Sequence, residues 1–181
     1  MLRLMFRSLA LVAVTAAAMA AGRVLPQKAP QQNSSYEERT VTDTNKARVE
    51  GVLKAWMTGD GTALQGLLDD NVEWTITGNS LVSGTTHSRA ELNAKVLGPF
   101  GARFSQSQDR FRPRRISGIY SDGDTVIAHL DAAGVANDGK PYANTYVWIL
   151  TMRGDKAVRV TAFFDSIAFD ELWRRVSPAQ N

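Results

Sequence analysis

Apolar and polar positions recur with two different periods along this chain, and the change of period divides it. Val49, Val52, Leu53, Trp56 and Met57 return at helical spacing, behind the capping residues Asp43 and Thr44 and ahead of the breaker Thr58-Gly59-Asp60-Gly61. The pattern predicts an amphipathic helix. Leu64, Leu67 and Leu68 predict a second, shorter helix capped by Asp60 and ended by Asp69-Asp70-Asn71. From Val72 the period falls to two: Val72, Trp74 and Ile76 alternate with Glu73, Thr75 and Thr77, as in a strand with one buried face.

A Gly/Ser/Thr loop follows, and Ser88-Arg89-Ala90-Glu91 forms a capping box that starts a helix running to about Leu97, where Gly98-Pro99 ends it. The remainder reads as a meander. Ser121-Asp122-Gly123-Asp124, Asn137-Asp138-Gly139-Lys140 and Arg153-Gly154-Asp155-Lys156 are hairpin turns. They separate strands over about Phe111–Tyr120, Thr125–Gly134, Lys140–Met152 and Ala157–Phe164. A last helix carries Asp170/Arg174 and Glu171/Arg175 at i,i+4 and closes near Pro178. Helices first, then antiparallel strands, then a closing helix predict an α+β domain in which one curved sheet folds over helices and can enclose a cavity.

The N-terminal 43 residues differ in kind. Arg3 and Arg7 precede the apolar run Ser8–Ala21, which ends in Ala18-Met19-Ala20, and no acidic residue occurs before Glu37. This is the layout of a signal peptide over residues 1–20, implying a periplasmic or secreted protein; an N-terminal anchor and an organellar transit peptide are the rival readings. The apolar run is shorter than a spanning helix needs, so no stable membrane span is expected after cleavage. Residues 21–43, rich in Gln, Pro, Ser and charge, read as a disordered linker; 44–177 form the domain and 178–181 a tail.

Composition narrows the chemistry. Cleavage after Ala20 removes two of the 21 basic residues against 18 acidic ones, so the mature chain is nearly neutral, which argues against nucleic acid as a partner. There is no cysteine and only His87 and His129 as imidazoles, so neither thiolate chemistry nor a dedicated metal site is expected, and no cofactor is implied.

Three groups remain as candidates. On the strand from Tyr142 one face carries Tyr142, Asn144, Tyr146, Trp148, Leu150 and Met152, which suits either a filled core or a pocket for an apolar, partly oxygenated ligand. His129 and Asp131 project together from the preceding strand, as an acid/base pair or as a solvated pair at the rim. Asp165, in Val160-Thr-Ala-Phe-Phe-Asp-Ser, shares a strand face with Thr161 and Phe163. It is either a base raised in pKa by aromatic surroundings or the N-cap of the last helix. Arg110, Arg112, Arg114 and Arg115 form a basic cluster with the choice between anionic substrate recognition, a membrane surface and a solvated face.

The order of elements, with Leu67-Leu-Asp-Asp-Asn-Val-Glu-Trp74, Ser121-Asp-Gly-Asp-Thr-Val-Ile-Ala-His-Leu-Asp131, Gly139-Lys-Pro-Tyr142 and Phe163-Phe-Asp-Ser166, resembles the SnoaL-like polyketide cyclase branch of the nuclear transport factor 2 superfamily. The resemblance covers about Asn45 to Val176. It implies a cone-shaped α+β fold with a deep apolar pocket, commonly a homodimer through the sheet. It also places Asp165 where such cyclases carry their proposed acid/base.

The function expected from it is a cofactor-free cyclase, isomerase or dehydratase for a small apolar carbonyl or hydroxyl compound. Asp165, His129 and Asp131 would be its catalytic groups, and Trp74, Asn144, Tyr146, Trp148 and Phe163 its ligand contacts. A non-catalytic binding or dimeric interaction module is the alternative. Ketosteroid isomerase and limonene epoxide hydrolase, in the same superfamily, match less well. The first helix has Trp56 where the isomerase has its tyrosine, and His129 stands where the hydrolase pattern has an arginine.

Overall fold

The computed structural model describes residues 32–105 and 108–179, with side chains from Glu37 onward, and the expected signal peptide lies outside the described residues. Helix α1 spans Gln32–Met57 and α2 Ala63–Leu67; β1 (Leu68–Ile76) and β2 (Gly84–Thr86) follow. Then come α3 (Arg89–Leu92), a π-helical turn over Asn93–Leu97 and α4 (Gly98–Gly101). Strands β3 (Arg112–Asp122), β4 (Thr125–Val135), β5 (Pro141–Arg153) and β6 (Lys156–Phe164) lead to α5 (Ser166–Arg175).

One sheet holds all six strands in the order β2-β1-β6-β5-β4-β3. The meander β3 to β6 is antiparallel throughout, as the turns predict, with Gly123, Gly139 and Gly154 at φ of +52°, +81° and +59°. The expectation of a wholly antiparallel sheet needs one correction. β1 pairs parallel to β6, with Trp74 opposite Val160, and β2, read from sequence as loop, pairs antiparallel to β1. Register shifts in β3 and between β5 and β6 interrupt the regular pairing, as bulges and related irregularities do where a sheet bends over helices.

Two boundaries moved for identifiable reasons. α1 begins at Gln32, well before Asp43 and Thr44, so residues 32–43 of the expected linker are helical. No glycine or proline interrupts Gln31 to Glu50. Asp60 does not cap α2: its Oδ1 accepts from the N–H and the hydroxyl of Thr62, at 2.9 and 2.7 Å, closing an Asx turn ahead of it.

Ser88 does cap α3, accepting from Glu91 N–H at 3.1 Å, and the Glu91 carboxylate accepts from His87 N–H at 2.8 Å, which accounts for His87 as a loop residue. In the π turn that follows, Gly98 N–H donates to Asn93 C=O. A Cβ on Gly98 would lie 2.7 Å from that oxygen, so glycine is what lets the wide turn close.

The core lies between the inner face of the sheet and the helices. Val49 and Leu53 of α1, Leu92 of α3, and Val72, Leu130, Leu150 and Val160 of the strands are almost fully buried there. Phe169 and Leu172 of α5 pack with Phe100, Phe104 and Tyr142 in an adjoining aromatic cluster. α5 is also tied to the loop before β2. Buried Asp170 accepts from Leu81 N–H at 2.9 Å while its other oxygen faces Arg174 at 3.4 Å.

Candidate functional site

The inner face of the sheet is set by β5, whose burial alternates along its length, with Tyr142, Asn144, Tyr146, Trp148, Leu150 and Met152 inward. Residues paired directly across a sheet point to the same side. Leu130 pairs with Tyr146 and Ala162 with Trp148, so Leu130 and Ala162 face inward, and their chain neighbours face out. That parity places every candidate on β4 and β6.

His129 and Asp131 lie on the outer face. Asp131 accepts from Thr145 Oγ1 at 2.7 Å and from Arg115 at 2.6–2.7 Å, and these bonds hold its carboxyl below the ordinary range. Phe163 is also outside, 42% exposed. Asp165 caps α5, its Oδ1 accepting from Ile167 N–H at 2.9 Å and Ala168 N–H at 3.3 Å. The three proposed catalytic groups therefore do not converge inside the sheet. Of the expected ligand contacts, Trp74, Tyr146 and Trp148 do.

These three share a cavity of about 310 Å³, at the small end of the roughly 300–1,000 Å³ usual for ligand pockets. Trp56 of α1, Leu64 of α2, Val96 and Leu97 of the π turn, Phe100 and Phe111 complete most of the wall. Trp148 meets Trp74 edge to face at 5.4 Å between centroids and lies parallel to Trp56 at 6.2 Å. Among the described residues lining it there is no carboxylate and no imidazole; the polar side chains are Gln65, Arg110 and Tyr146. Gln65 is engaged with Asn93 in two amide hydrogen bonds of 2.7 and 2.9 Å.

Tyr146 is the polar group set among the aromatic rings, and a chain of hydrogen bonds leads to it from the β6–α5 junction. Asp165 N–H donates to Asn144 Oδ1 at 3.0 Å, which fixes the amide orientation. Asn144 Nδ2 then donates to Asp165 C=O and to the Tyr142 hydroxyl, both at 2.9 Å. Tyr142 thus accepts a bond, and its hydroxyl lies 3.0 Å from that of Tyr146, a pair in which either oxygen can be the donor. Tyr146 ends this hydrogen-bonded chain at the cavity wall. Burial, reinforced by Tyr142, holds the Tyr146 phenol well above its ordinary pKa, so it is a neutral donor at any physiological pH.

Asn144, expected as a ligand contact, acts one step back, by orienting Tyr142 and clamping the junction of β6 and α5. Phe164, Phe169, Phe104 and Phe111 line the cavity although sequence reasoning singled out none of them. The apolar run Val160, Ala162, Phe164 opposite Thr161, Phe163, Asp165 carried a usable signal for the first, since the more apolar parity is the interior one.

The profile of the SnoaL-like domain matches residues 49–160, more than half of the chain. No curated protein matches it. Solved structures do. Bal32a, from a soil-derived mobile gene cassette, is 22% identical, with 74% of this chain and 98% of that one covered and a TM-score of 0.58. A nuclear transport factor 2-like protein of Burkholderia xenovorans LB400 is 20% identical, covering 72% and 96%, at 0.54. TerC, co-crystallised with polyporic acid, is 22% identical, covering 72% and 98%, also at 0.54. At these identities the structural likeness speaks for the fold.

Proposed function

The chain belongs to the SnoaL-like domain family, and within it we propose that this protein is a binder of a small apolar molecule carrying an acceptor oxygen, taken into the aromatic cavity and held by the Tyr146 hydroxyl. The observation that carries this reading is the cavity's polarity. Apolar walls surround a neutral phenol, while the carboxylates and imidazole that acid/base turnover would use are engaged elsewhere or face outward. That TerC, a protein of the same fold, was co-crystallised with polyporic acid supports the reading. Because one fold hosts both binders and enzymes, the site rather than the family decides.

A ketone such as 4-acetylbiphenyl tests it by calorimetric titration. Tyr146→Phe should weaken binding roughly fivefold, the size of one hydrogen bond, and Asp165→Asn should leave it unchanged. A compound turned over by the wild type and spared by Asp165→Asn would sink the binding reading in favour of an acid/base enzyme.

The outer face of the sheet supports a second part of this reading, a homodimer. Across it His129, Val147 and Phe163 stand opposite one another on three strands, with Ile127 opposite Ile149 in the next row. The charged pairs Arg115–Asp131 and Arg159–Glu73 frame these rows at either end. Half-exposed apolar rows within a charged rim suit a self-complementary contact with a second copy. Sedimentation should give a dimer for the wild type and a monomer for Phe163→Glu; a wild type that stays monomeric at high micromolar concentration contradicts the assignment.

A further inference from the structure

The cavity has a second polar residue that the binding reading leaves unused, and its placement speaks to the class of ligand. The exposed members of the lining are Gly61 and Gly101, so the mouth lies between the loop after α1 and the end of α4. Half-buried Arg110 also lines the cavity, on the segment entering β3. One guanidinium nitrogen donates to the carbonyl of Gly59, a residue held at φ of +114° in the loop after α1. That bond pins the side chain across the gap between the two segments and uses one of five N–H donors.

Among the described residues no carboxylate stands within ion-pair distance of Arg110. Asp60 is near enough to feel its charge, but the hydrogen bonds from Thr62 are what hold that carboxyl below its ordinary range, and Arg110 is the least of the causes. The neighbouring arginines are disposed differently. Arg115 pairs with Asp131 on the outer face, and Arg114 donates to the Ala133 carbonyl. Within the basic run, Arg110 is the member turned to the cavity.

We propose that the ligand is an amphiphilic acid, its apolar body against the tryptophans and its carboxylate held at the mouth by Arg110. A guanidinium presents paired donors in the plane that a carboxylate accepts. At the mouth both charges keep part of their hydration, so the pair forms without the desolvation cost of a buried ion pair. The inner end of the same ligand meets the Tyr146 hydroxyl, which gives the site two polar poles joined by an apolar wall. This inference rests on the binding reading.

Two probes with one body, biphenyl-4-carboxylate and biphenyl-4-methanol, separate the two proposals by calorimetric titration of the full chain. The carboxylate should bind about tenfold more tightly than the alcohol. Arg110→Met should remove that preference, read as the ratio of the two affinities within the variant, and Arg110→Lys should keep part of it. Raising sodium chloride from about 0.05 M to about 0.5 M should weaken the acid and leave the alcohol unaffected in the wild type, a readout that needs no variant to fold. Equal binding of the two probes, or a preference that survives Arg110→Met, overturns the assignment of the acid while the binding reading stands. If neither probe binds, the binding reading falls and this inference with it.

Discussion

Asn144→Leu should lower the unfolding free energy by about 3 kcal/mol and disorder the donor in the cavity as well. The two side chains are close in volume, so the change leaves no void of consequence. What it removes is three hydrogen bonds: to both backbone groups of Asp165 and to the Tyr142 hydroxyl. Each group left without a partner in a buried position costs about 1–3 kcal/mol. Asp165 is partly open to water, which can take over some of the lost bonding, so the sum falls below three full penalties.

Urea denaturation at constant temperature measures it, with an unchanged slope showing that the unfolded state is the same. A loss under about 1 kcal/mol would show that the amide is not what secures the β6–α5 junction. The same variant should weaken the ketone probe, because Tyr142 without its bond from Asn144 no longer holds the Tyr146 hydroxyl in place. A stable variant with undiminished ketone binding contradicts a role for Asn144 in positioning that hydroxyl.

Gly134→Ala should be costlier than any exchange of glycine for alanine in an open strand, by about 2–4 kcal/mol. A Cβ at this position would lie 2.6 Å from both the N and the Cα of Phe111. Those are backbone atoms, and no rotamer change relieves them. The segment entering β3 would have to lift away, straining the 2.8 Å bond from Val135 N–H to the Asp109 carbonyl. Phe111 touches Trp56, Phe100, Phe104, Tyr142 and Tyr146, so its displacement reaches the cavity wall directly. Thermal unfolding together with titration of biphenyl-4-methanol tests this. A variant of wild-type stability and affinity would mean that the close approach of β4 to this segment is not required.

The meander and the closing helix were legible in the sequence because each depends on local chemistry. Glycine at positive φ makes the turns, after aspartate in two of them and after Arg153 in the third, and i,i+4 charges line α5. The pairing of β1 with β6 was not, because nothing local in Val72–Ile76 says which distant strand it will meet. Asp165 shows the same division at the site. Cap and acid/base are both sound readings of one aspartate before a helix, and only the register of β6 against β5, Trp148 opposite Ala162, decides that its side chain lies outside the sheet. Tyr146 and Trp148 could be found from a single strand's alternation. The mouth at Arg110 could not, since it joins a loop after α1 to a segment 51 residues on.

The parallel contact between β1 and β6 also bears on how the chain is made. β1 leaves the ribosome early, but its inner neighbour in the sheet is the last strand to be synthesised, and until then only short β2 covers one of its edges. During translation β1 therefore presents an unpaired edge beside the apolar side chains of Val72, Trp74 and Ile76, the circumstance in which nascent chains pair with one another. Completion of the domain waits on its final third, and a chain released before Phe164 has no means of closing its own sheet.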